Sequence, residues 1–311
     1  MENNYVKGIR KMKISQSNLI KNKSINAHLN IISSLSVFPS GNIISVSWDK
    51  TIKIWDLNFN LLSTINDNIT DYIVYVSIKD ENTFAISLYD RTVKIFKKNK
   101  NNKYILSEEI NNHYEDLVNK LIFFQNGTLI LSSENKIDIF EEIKENKHQL
   151  NLRLMNKGMI LSMIFIKEKQ YLIASGNKGT YFYTLNNYDL ILEINNAICI
   201  TNNSLCKIKD KIFIGGDNGG YLYVISINEK KIIKIINNEF TVYGICGIED
   251  KSLLITCGWN KNIRIYNCDN YICIQIIRNA HDENIQGLIE LNNGNIASYS
   301  DKIINVWSFD I

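Results

Sequence analysis

The chain has 311 residues, of which 45% are hydrophobic, and its formal net charge is +3. A chain of this length and composition can bury a large core, and its near-neutral charge argues against binding of nucleic acid through bulk positive charge. The apolar runs are far too short to cross a bilayer, and the N-terminus lacks an apolar run of signal-peptide length. We therefore expect no membrane association.

The first segment, residues 1–17, is polar and carries the basic side chains Lys7, Arg10, Lys11 and Lys13. A segment this polar cannot bury enough apolar surface to fold alone. We predict an N-terminal basic arm over residues 1–17 that orders only on a partner. Residues 7–13 are a candidate RNA contact, and a solvated segment is the alternative.

A repeating frame runs through the rest of the chain. An acidic or amide residue returns at intervals of 40 to 44 residues, and an aromatic residue follows each of them by six positions. The pairs are Asp49 and Trp55, Asp90 and Phe96, Glu134 and Phe140, Asn177 and Tyr183, Asp217 and Tyr223, Asn260 and Tyr266, and Asp301 and Trp307. Short β-branched segments, residues 43–46 and 52–55, flank the first turn. This period predicts radially arranged blades in one domain over residues 18–311.

The first copy carries the residues of a known repeat family. It has His28 ahead of its first strand, Ser47 on its second strand, Asp49 in the next turn and Trp55 on its third strand. With these residues the chain resembles the WD40-repeat family over roughly residues 18–311. The resemblance implies an all-β fold, a seven-bladed β-propeller of four-stranded antiparallel blades.

Two other copies keep part of this set. They have His281, Asp301 and Trp307 in blade seven, with Tyr299 or Ser300 near the hydroxyl position, and His113 in blade three. In the family the His links the turn carboxylate to the hydroxyl and the indole N–H, so that each buried polar atom has a partner. We expect a structural role for these histidines rather than a catalytic or metal-binding one.

The two ends of the chain are complementary. The chain ends after the third strand of blade seven, which leaves that blade without an outer strand. Residues 18–28 have the same length and ending as residues 271–281, which form the outer strand of blade six and lead into blade seven. We predict that residues 18–25 pair with the last blade and close the ring, which removes an open sheet edge.

The sequence offers little for catalysis. The one histidine outside the structural position, His148, falls in the polar run 141–149, which we expect to be a solvated loop. The glycine-rich residues 215–220 occupy the turn of blade five and predict a tight hairpin rather than a phosphate-binding loop. We therefore predict a protein that is not an enzyme and has no cofactor.

The six cysteines have no CxxC spacing, and most lie in apolar runs. This pattern predicts free buried thiols in a reducing compartment. We expect a cytoplasmic protein, with the nucleus or a cytoskeletal or ciliary complex as alternatives.

One face of the ring is the best candidate for binding. In the family, the loops that enter the first strands and the turns between the second and third strands share a face that is often used for binding. The resemblance places seven side chains there, which we call the rim residues: Trp48, Tyr72, Tyr89, Thr241, Trp259, Asn284 and Ser300. Exposed Trp and Tyr are typical of interface hot spots. The alternative is that these rings cover neighbouring loops.

These features predict a non-enzymatic scaffold that brings proteins or peptides together within a larger multiprotein assembly. The alternative is a ribosome- or RNA-associated propeller resembling the receptor for activated C kinase. In that protein a basic residue precedes the first turn Asp, where this chain has Trp48, although Lys50 is kept. The basic loop 97–103, on the opposite face, is a second candidate RNA contact.

Overall fold

The structure is a computed structural model that describes residues 18–110, 116–145, 147–201, 203–216 and 219–310. Within these residues the regular elements are 28 β-strands in seven four-stranded antiparallel sheets. The part of the chain described contains no helix that is long and apolar enough to cross a membrane. The fold is the predicted all-β, seven-bladed β-propeller.

The strands follow chain order from blade to blade. Their bounds are β1 (Leu19–Asn26) in blade seven; β2 (Ile32–Val37), β3 (Ile43–Ser47), β4 (Ile52–Trp55) and β5 (Leu61–Ile65) in blade one; β6 (Ile73–Asp80), β7 (Thr83–Leu88), β8 (Val93–Lys98) and β9 (Tyr104–Ile110) in blade two; β10 (Val118–Phe123), β11 (Leu129–Ser133), β12 (Lys136–Lys144) and β13 (Lys147–Met155) in blade three; β14 (Ile160–Ile166), β15 (Tyr171–Gly176), β16 (Gly179–Thr184) and β17 (Leu190–Ile194) in blade four; β18 (Leu205–Ile208), β19 (Lys211–Gly215), β20 (Tyr221–Ser226) and β21 (Lys231–Asn237) in blade five; β22 (Val242–Ile248), β23 (Leu253–Gly258), β24 (Ile263–Asn267) and β25 (Cys273–Ile277) in blade six; and β26 (Ile285–Glu290), β27 (Ile296–Ser300) and β28 (Ile303–Phe309) in blade seven.

The core lies between neighbouring blades. The second strand of a blade is covered on both faces, as in β3, where all five residues are buried. The outermost strand keeps only one covered face, so β5 has several exposed side chains. Such burial on both faces explains why the inner strands have nearly continuous apolar sequences.

The N-terminal strand closes the ring. β1 pairs antiparallel with β28 from Leu19 opposite Phe309 to Asn26 opposite Ile303, as predicted. The Leu19 side chain is 2% exposed and packs into the apolar cluster between blades six and seven. Gln275 of β25 also exchanges two hydrogen bonds with the Leu19 backbone, at 2.8 and 3.0 Å. The first strand therefore contacts two blades.

The prediction of a solvated loop at residues 141–149 was wrong. β12 continues to Lys144 and β13 begins at Lys147, so His148 lies within a strand. Its Nδ1 atom lies 2.7 Å from Glu108 Oε2, and its Nε2 atom lies 2.9 Å from Gly127 O. The run is polar because most of its other described side chains are exposed.

The cysteines are all free thiols. Four of the six are buried, and the other two, Cys206 and Cys273, are half-buried. Burial raises the pKa of Cys199 to about 11 and the pKa of Cys246 to about 12. These thiols therefore stay protonated at neutral pH and are poor nucleophiles.

Candidate functional site

Blade one contains a closed hydrogen-bond network behind its turn. His28 Nδ1 lies 2.9 Å from Asp49 Oδ2, and His28 Nε2 lies 2.7 Å from Ser45 Oγ. Trp55 Nε1 donates to the same Ser45 hydroxyl at 2.8 Å. Because Asp49 can only accept, Nδ1 carries the proton and Nε2 accepts from Ser45, which makes the imidazole neutral.

Charge within this network is set by burial and hydrogen bonds. Burial lowers the pKa of His28 although Asp49 raises it. For Asp49, burial alone would raise the pKa, but hydrogen bonds from His28, Thr51 and the Leu29 backbone outweigh it and hold the pKa well below its usual value. The carboxylate therefore stays charged while the histidine is neutral.

The hydroxyl in this network belongs to Ser45, so the assignment of Ser47 was wrong. On the strand pair β3–β4, Trp55 stands opposite Ile43, which places Ser45 two residues along the same face and within reach of the indole. Ser47 lies one step nearer the turn. Its hydroxyl donates to Asn30 O at 3.0 Å and accepts from the Asp49 amide at 3.0 Å, so it caps the turn.

Blade seven has a network of the same shape without a carboxylate. His281 Nε2 lies 2.6 Å from Ser298 Oγ, which also accepts from Trp307 Nε1 at 2.8 Å. His281 Nδ1 meets Ser300 Oγ at 2.8 Å. Burial, with a smaller contribution from Lys21, lowers the pKa of His281 to about 4.

Two predictions for blade seven were therefore wrong. Asp301 does not bond to His281, because its turn is one residue shorter than in blade one and Ser300 occupies the place of the carboxylate. For the same reason Ser300 is only 2% exposed and cannot belong to a binding face. The third predicted histidine, His113, lies outside the described residues, as do Asp217 and the N-terminal arm.

Blades four and six use asparagine in place of histidine. Tyr183 donates its hydroxyl to Asn156 Oδ1 at 2.5 Å, and Tyr266 donates to Asn238 Oδ1 at 2.7 Å. In blade six, Thr256 Oγ1 donates to the same Asn238 oxygen at 3.1 Å. Sequence reasoning missed both asparagines. They stand 21 and 22 residues before Asn177 and Asn260, which equals the spacing of 20 or 21 residues for the histidines or exceeds it by one, and this could have identified them.

The rim of blades one and two carries three rings in contact, which we call the aromatic ladder: Trp48, Tyr72 and Tyr89. Trp48 stacks on Tyr72 with ring centroids 5.5 Å apart and an interplanar angle of 12°. Tyr72 meets Tyr89 edge to face at 6.2 Å, and Tyr89 is 50% exposed. The structure thus brings together three predicted rim residues from two blades.

A cavity of about 400 Å³ opens on the propeller axis beside this ladder, and we call it the mouth cavity. It lies where the innermost strands of six blades begin. Its walls include the rings of Trp48, Tyr89 and Tyr243, the apolar side chains of Ile31, Val74, Leu117 and Ile200, and the polar side chains of Ser33, Asn119, Thr201, Asn203 and Gln286. The sequence had not indicated Tyr243, because it lies inside a strand and not beside a turn.

The remaining rim residues have different places. Trp259 is 60% exposed and its ring lies 6.0 Å from that of Tyr243, so it adjoins the mouth cavity through that tyrosine. Thr241 and Asn284 are half-buried. Participation of the rim residues in binding stays a prediction.

The basic loop 97–103 lies on the face opposite the mouth cavity, and ion pairs neutralise part of its positive charge. Lys97 Nζ lies 2.7 Å from Glu145 Oε1, and Lys98 Nζ lies 3.8 Å from Glu81 Oε1. Lys100 and Lys103 are exposed and make no side-chain hydrogen bond or ion pair with any described residue. The loop therefore offers two free cations rather than four.

The three histidines within the described ranges have both ring nitrogens in hydrogen bonds inside the fold. In the same residues there is no group of three or more His, Cys, Asp and Glu side chains that could hold a metal ion.

Comparison with known proteins agrees with this geometry. Residues 20–56 and 230–267 match the family model described as WD domain, G-beta repeat. The U3 small nucleolar RNA-associated protein 15 homolog of Xenopus tropicalis is 25% identical over 191 residues, which cover 61% of this chain and 36% of that protein. The homolog of the same name from Xenopus laevis is 24% identical with the same coverage. The chain thus matches little more than a third of the length of these curated relatives.

Proposed function

We propose that this chain, which belongs to the WD40-repeat family, is a non-catalytic scaffold that gathers proteins within an RNA-containing assembly. The observation that carries the proposal is the mouth cavity with rings from blades one, two and six around it. Trp48 and Tyr243 are half-buried, whereas Tyr89 and Trp259 are 50% and 60% exposed. Exposed aromatic side chains beside a preformed cavity are typical of protein-binding hot spots. The ring is rigid there because each blade packs on two neighbours.

The type of assembly is suggested by the relatives. Both are named for association with the U3 small nucleolar RNA. Their names favour the nucleus as the site of action over the cytoplasm expected from the cysteine usage. Microscopy of the tagged chain in its native cell would test this: nuclear signal supports the proposal, and uniform exclusion from the nucleus counts against it.

The hydrogen bonds of the described histidines support the proposal that the protein is not catalytic. His28, His148 and His281 are buried or half-buried, and their ring nitrogens are engaged in hydrogen bonds that tie strands together. Side chains committed in this way are not available as general bases.

Affinity purification with mass spectrometry from the native cell tests the scaffold role. The intact chain is compared with the double variant Trp48→Ala/Trp259→Ala and with a control, Leu62→Ala/Ile272→Ala, whose side chains are 56% and 58% exposed away from the mouth. We expect the first variant to lose protein partners and the control to retain them, with similar melting temperatures. Equal recovery of the same partners by both variants would refute the proposal.

An RNase-treated arm separates two ways of joining the assembly. Partners that survive RNase but are lost in the Trp48→Ala/Trp259→Ala variant are bound by the mouth. Partners that RNase alone removes are held through RNA.

Direct RNA contact by the chain itself is the second candidate, and the names of the relatives favour it. It would use Lys100 and Lys103, the free cations of the basic loop. Replacing both with alanine should reduce the slope of log affinity against log salt by about two for RNA bound through phosphates. An unchanged slope would remove this loop from consideration.

A further inference from the structure

We propose that the chain binds a nucleobase of single-stranded RNA in a cavity at the end of the propeller axis opposite the mouth cavity. This inference deepens the second candidate function, direct contact with RNA, and rests on it. It follows from ring surface in the cavity wall, from amide side chains in the turns around it and from a lining without carboxylates.

This lower cavity, as we call it, has a volume of about 680 Å³ and lies where the innermost strands β2, β6, β10 and β14 end. Its walls come from blades one, two, three, four and seven. The charged side chains in its lining are Lys79 and Lys167, and none of its lining residues is Asp or Glu. The lining therefore does not repel phosphate groups.

Two phenylalanines supply ring surface to the lower cavity. Phe124 follows β10, Phe165 lies one residue before the end of β14, and both are half-buried. Their rings meet edge to face, with centroids 5.0 Å apart and an interplanar angle of 76°. In such a pair, the ring that contributes its edge keeps both of its faces uncovered by the other ring. A nucleobase can stack on a face of this kind whatever its sequence, because every base is aromatic.

Amide side chains stand at the corners of a turn beside these rings. Gly127 N donates to Phe124 O at 3.0 Å, so residues 124–127 form a tight turn. Its corners are Gln125 and Asn126, and both are exposed. Gly127 has a φ of 93°, a conformation that favours glycine, so the sequence specifies this turn and places both amides at the cavity.

These amides offer both donors and acceptors to a guest. Gln125 makes no side-chain hydrogen bond with any residue that the structure describes. Asn126 accepts from Thr128 N through Oδ1 at 3.0 Å and keeps its Nδ2 donors, whereas Asn292 donates from Nδ2 to Pro39 O at 3.4 Å and keeps its Oδ1 acceptor. The edge of a base carries donors and acceptors side by side, which amide side chains match. A carboxylate guest would use only the donors.

The free charges around the lower cavity are few, so we expect stacking to contribute more than phosphate contacts. Lys79 pairs with Glu142 at 2.8 Å. Lys167 is exposed and has no side-chain hydrogen bond or ion pair within the described part of the chain. Asp80, which follows Lys79, has no ion pair there either, and it opposes an anion. The near-neutral charge of the whole chain agrees with a site that holds RNA mainly through its bases.

The test is fluorescence anisotropy of the purified chain with a short labelled oligoadenylate. Three probes of the same length serve for comparison: an abasic oligomer that keeps the phosphates, a double-stranded RNA and a peptide of alternating Glu and Phe. We expect the oligoadenylate to bind about tenfold more tightly than each of them, because only it offers unpaired bases. Lys167→Ala should make the slope of log affinity against log salt shallower by about 0.7, the value for one phosphate contact.

Variants of the wall locate the site. Phe165→Leu removes the ring but keeps an apolar side chain, and it should weaken oligoadenylate binding about tenfold, whereas Phe165→Trp should retain it. Gln125→Glu places a carboxylate at the exposed corner of the turn and should weaken binding about threefold. The matched control is Phe240→Leu, because Phe240 is 45% exposed and precedes β22 on the mouth face. It should change nothing, and all variants should melt at similar temperatures.

Equal binding of the abasic oligomer, tighter binding of the acidic peptide or absence of measurable oligoadenylate binding overturns this inference. If Lys100→Ala/Lys103→Ala weakens RNA binding and Phe165→Leu does not, the chain contacts RNA through the basic loop and the lower cavity is not the site. The scaffold role is tested separately, through Trp48 and Trp259 on the opposite face, and it stands or falls independently of these results.

Discussion

Trp48 of blade one lies parallel to Tyr72 of blade two, with an interplanar angle of 12°. The two residues are 24 positions apart in the chain and lie in connecting segments of different blades, Trp48 after β3 and Tyr72 before β6. Their stacking joins the rims of two blades into one surface beside the propeller axis. The proposed binding surface exists only if the blades hold a fixed relative position, so we expect variants that destabilise the ring to weaken binding at the rim as well.

The closing strand should contribute strongly to stability through one side chain. Leu19 is buried between blades six and seven, whereas its neighbour Ile20 is 47% exposed. Leu19→Ala should lower the free energy of unfolding by about 2–4 kcal/mol, because it leaves a cavity in the seam. Ile20→Ala should change it by less than about 0.5 kcal/mol. Urea denaturation measures the free energy of unfolding of both variants. Equal effects would contradict the closure of the ring by a buried Leu19.

Replacement of Ser45 should lower the free energy of unfolding more than replacement of Ser47, the other serine of β3. Ser45→Ala leaves Trp55 Nε1 and His28 Nε2 without their buried partner and should cost about 2–3 kcal/mol. Ser47→Ala removes a turn cap and should cost about 1 kcal/mol. The free energies of unfolding of the two variants show which serine belongs to the network of His28 and Trp55. A larger cost for Ser47→Ala would restore the network that the sequence had suggested.

The seam between blades two and three should depend on His148. Its contacts with Glu108 and Gly127 O are buried, so His148→Ala strands a carboxylate and should cost about 2–4 kcal/mol. Lys157→Ala breaks the exposed ion pair between Lys157 and Glu193, which solvent screens, so it should leave the melting temperature nearly unchanged. Thermal denaturation of both variants compares a buried with an exposed pair. Similar melting temperatures would show that the seam is not held this way.

Stability should fall as the pH is lowered from 6.5 towards 4, partly through His281. The unfolded chain protonates this residue near its usual pKa of 6.5, but the folded chain does so only near 4, because the site is buried. Between these values the unfolded state binds more protons, so acid favours unfolding. Protonation of His281 in the unfolded state should lower the free energy of unfolding by about 2–3 kcal/mol between neutral pH and pH 4.5.

The matched variant for this pH dependence is His281→Asn, which keeps a polar side chain without a titrating ring. Its free energy of unfolding should be lower at neutral pH but should change less between pH 6.5 and 4.5. A pH dependence as steep as that of the natural chain would show that other groups account for it.

The architecture was predictable because the sequence repeats at a regular interval. The turn residues and the aromatic residues six positions later mark each blade, and the similarity of residues 18–28 to 271–281 predicts the closure. Strand alternation fixes which side chains share a face, but Ser45 and Ser47 share one face. Their assignment needs the pairing register of β3 with β4, which the sequence does not contain.

The candidate site was only partly predictable. Trp48, Tyr72 and Tyr89 were found because they flank turns, and the turn position sets their direction. The prediction that Ser300 lies on the binding face was wrong, because a turn shortened by one residue moves its side chain inward, next to His281. Tyr243 was missed because its role depends on six blades meeting at one axis, and no local pattern reports that geometry.

The central claim is that the closed ring binds a protein partner at the mouth cavity and its aromatic rim. Hydrogen–deuterium exchange of the chain, free and within its purified native complex, tests this most directly. We predict slower exchange in the complex at the backbone around Trp48, Tyr72, Tyr89 and Tyr243, with little change in residues 97–103. Protection confined to residues 97–103, with unchanged exchange around the four aromatic residues, would contradict the claim.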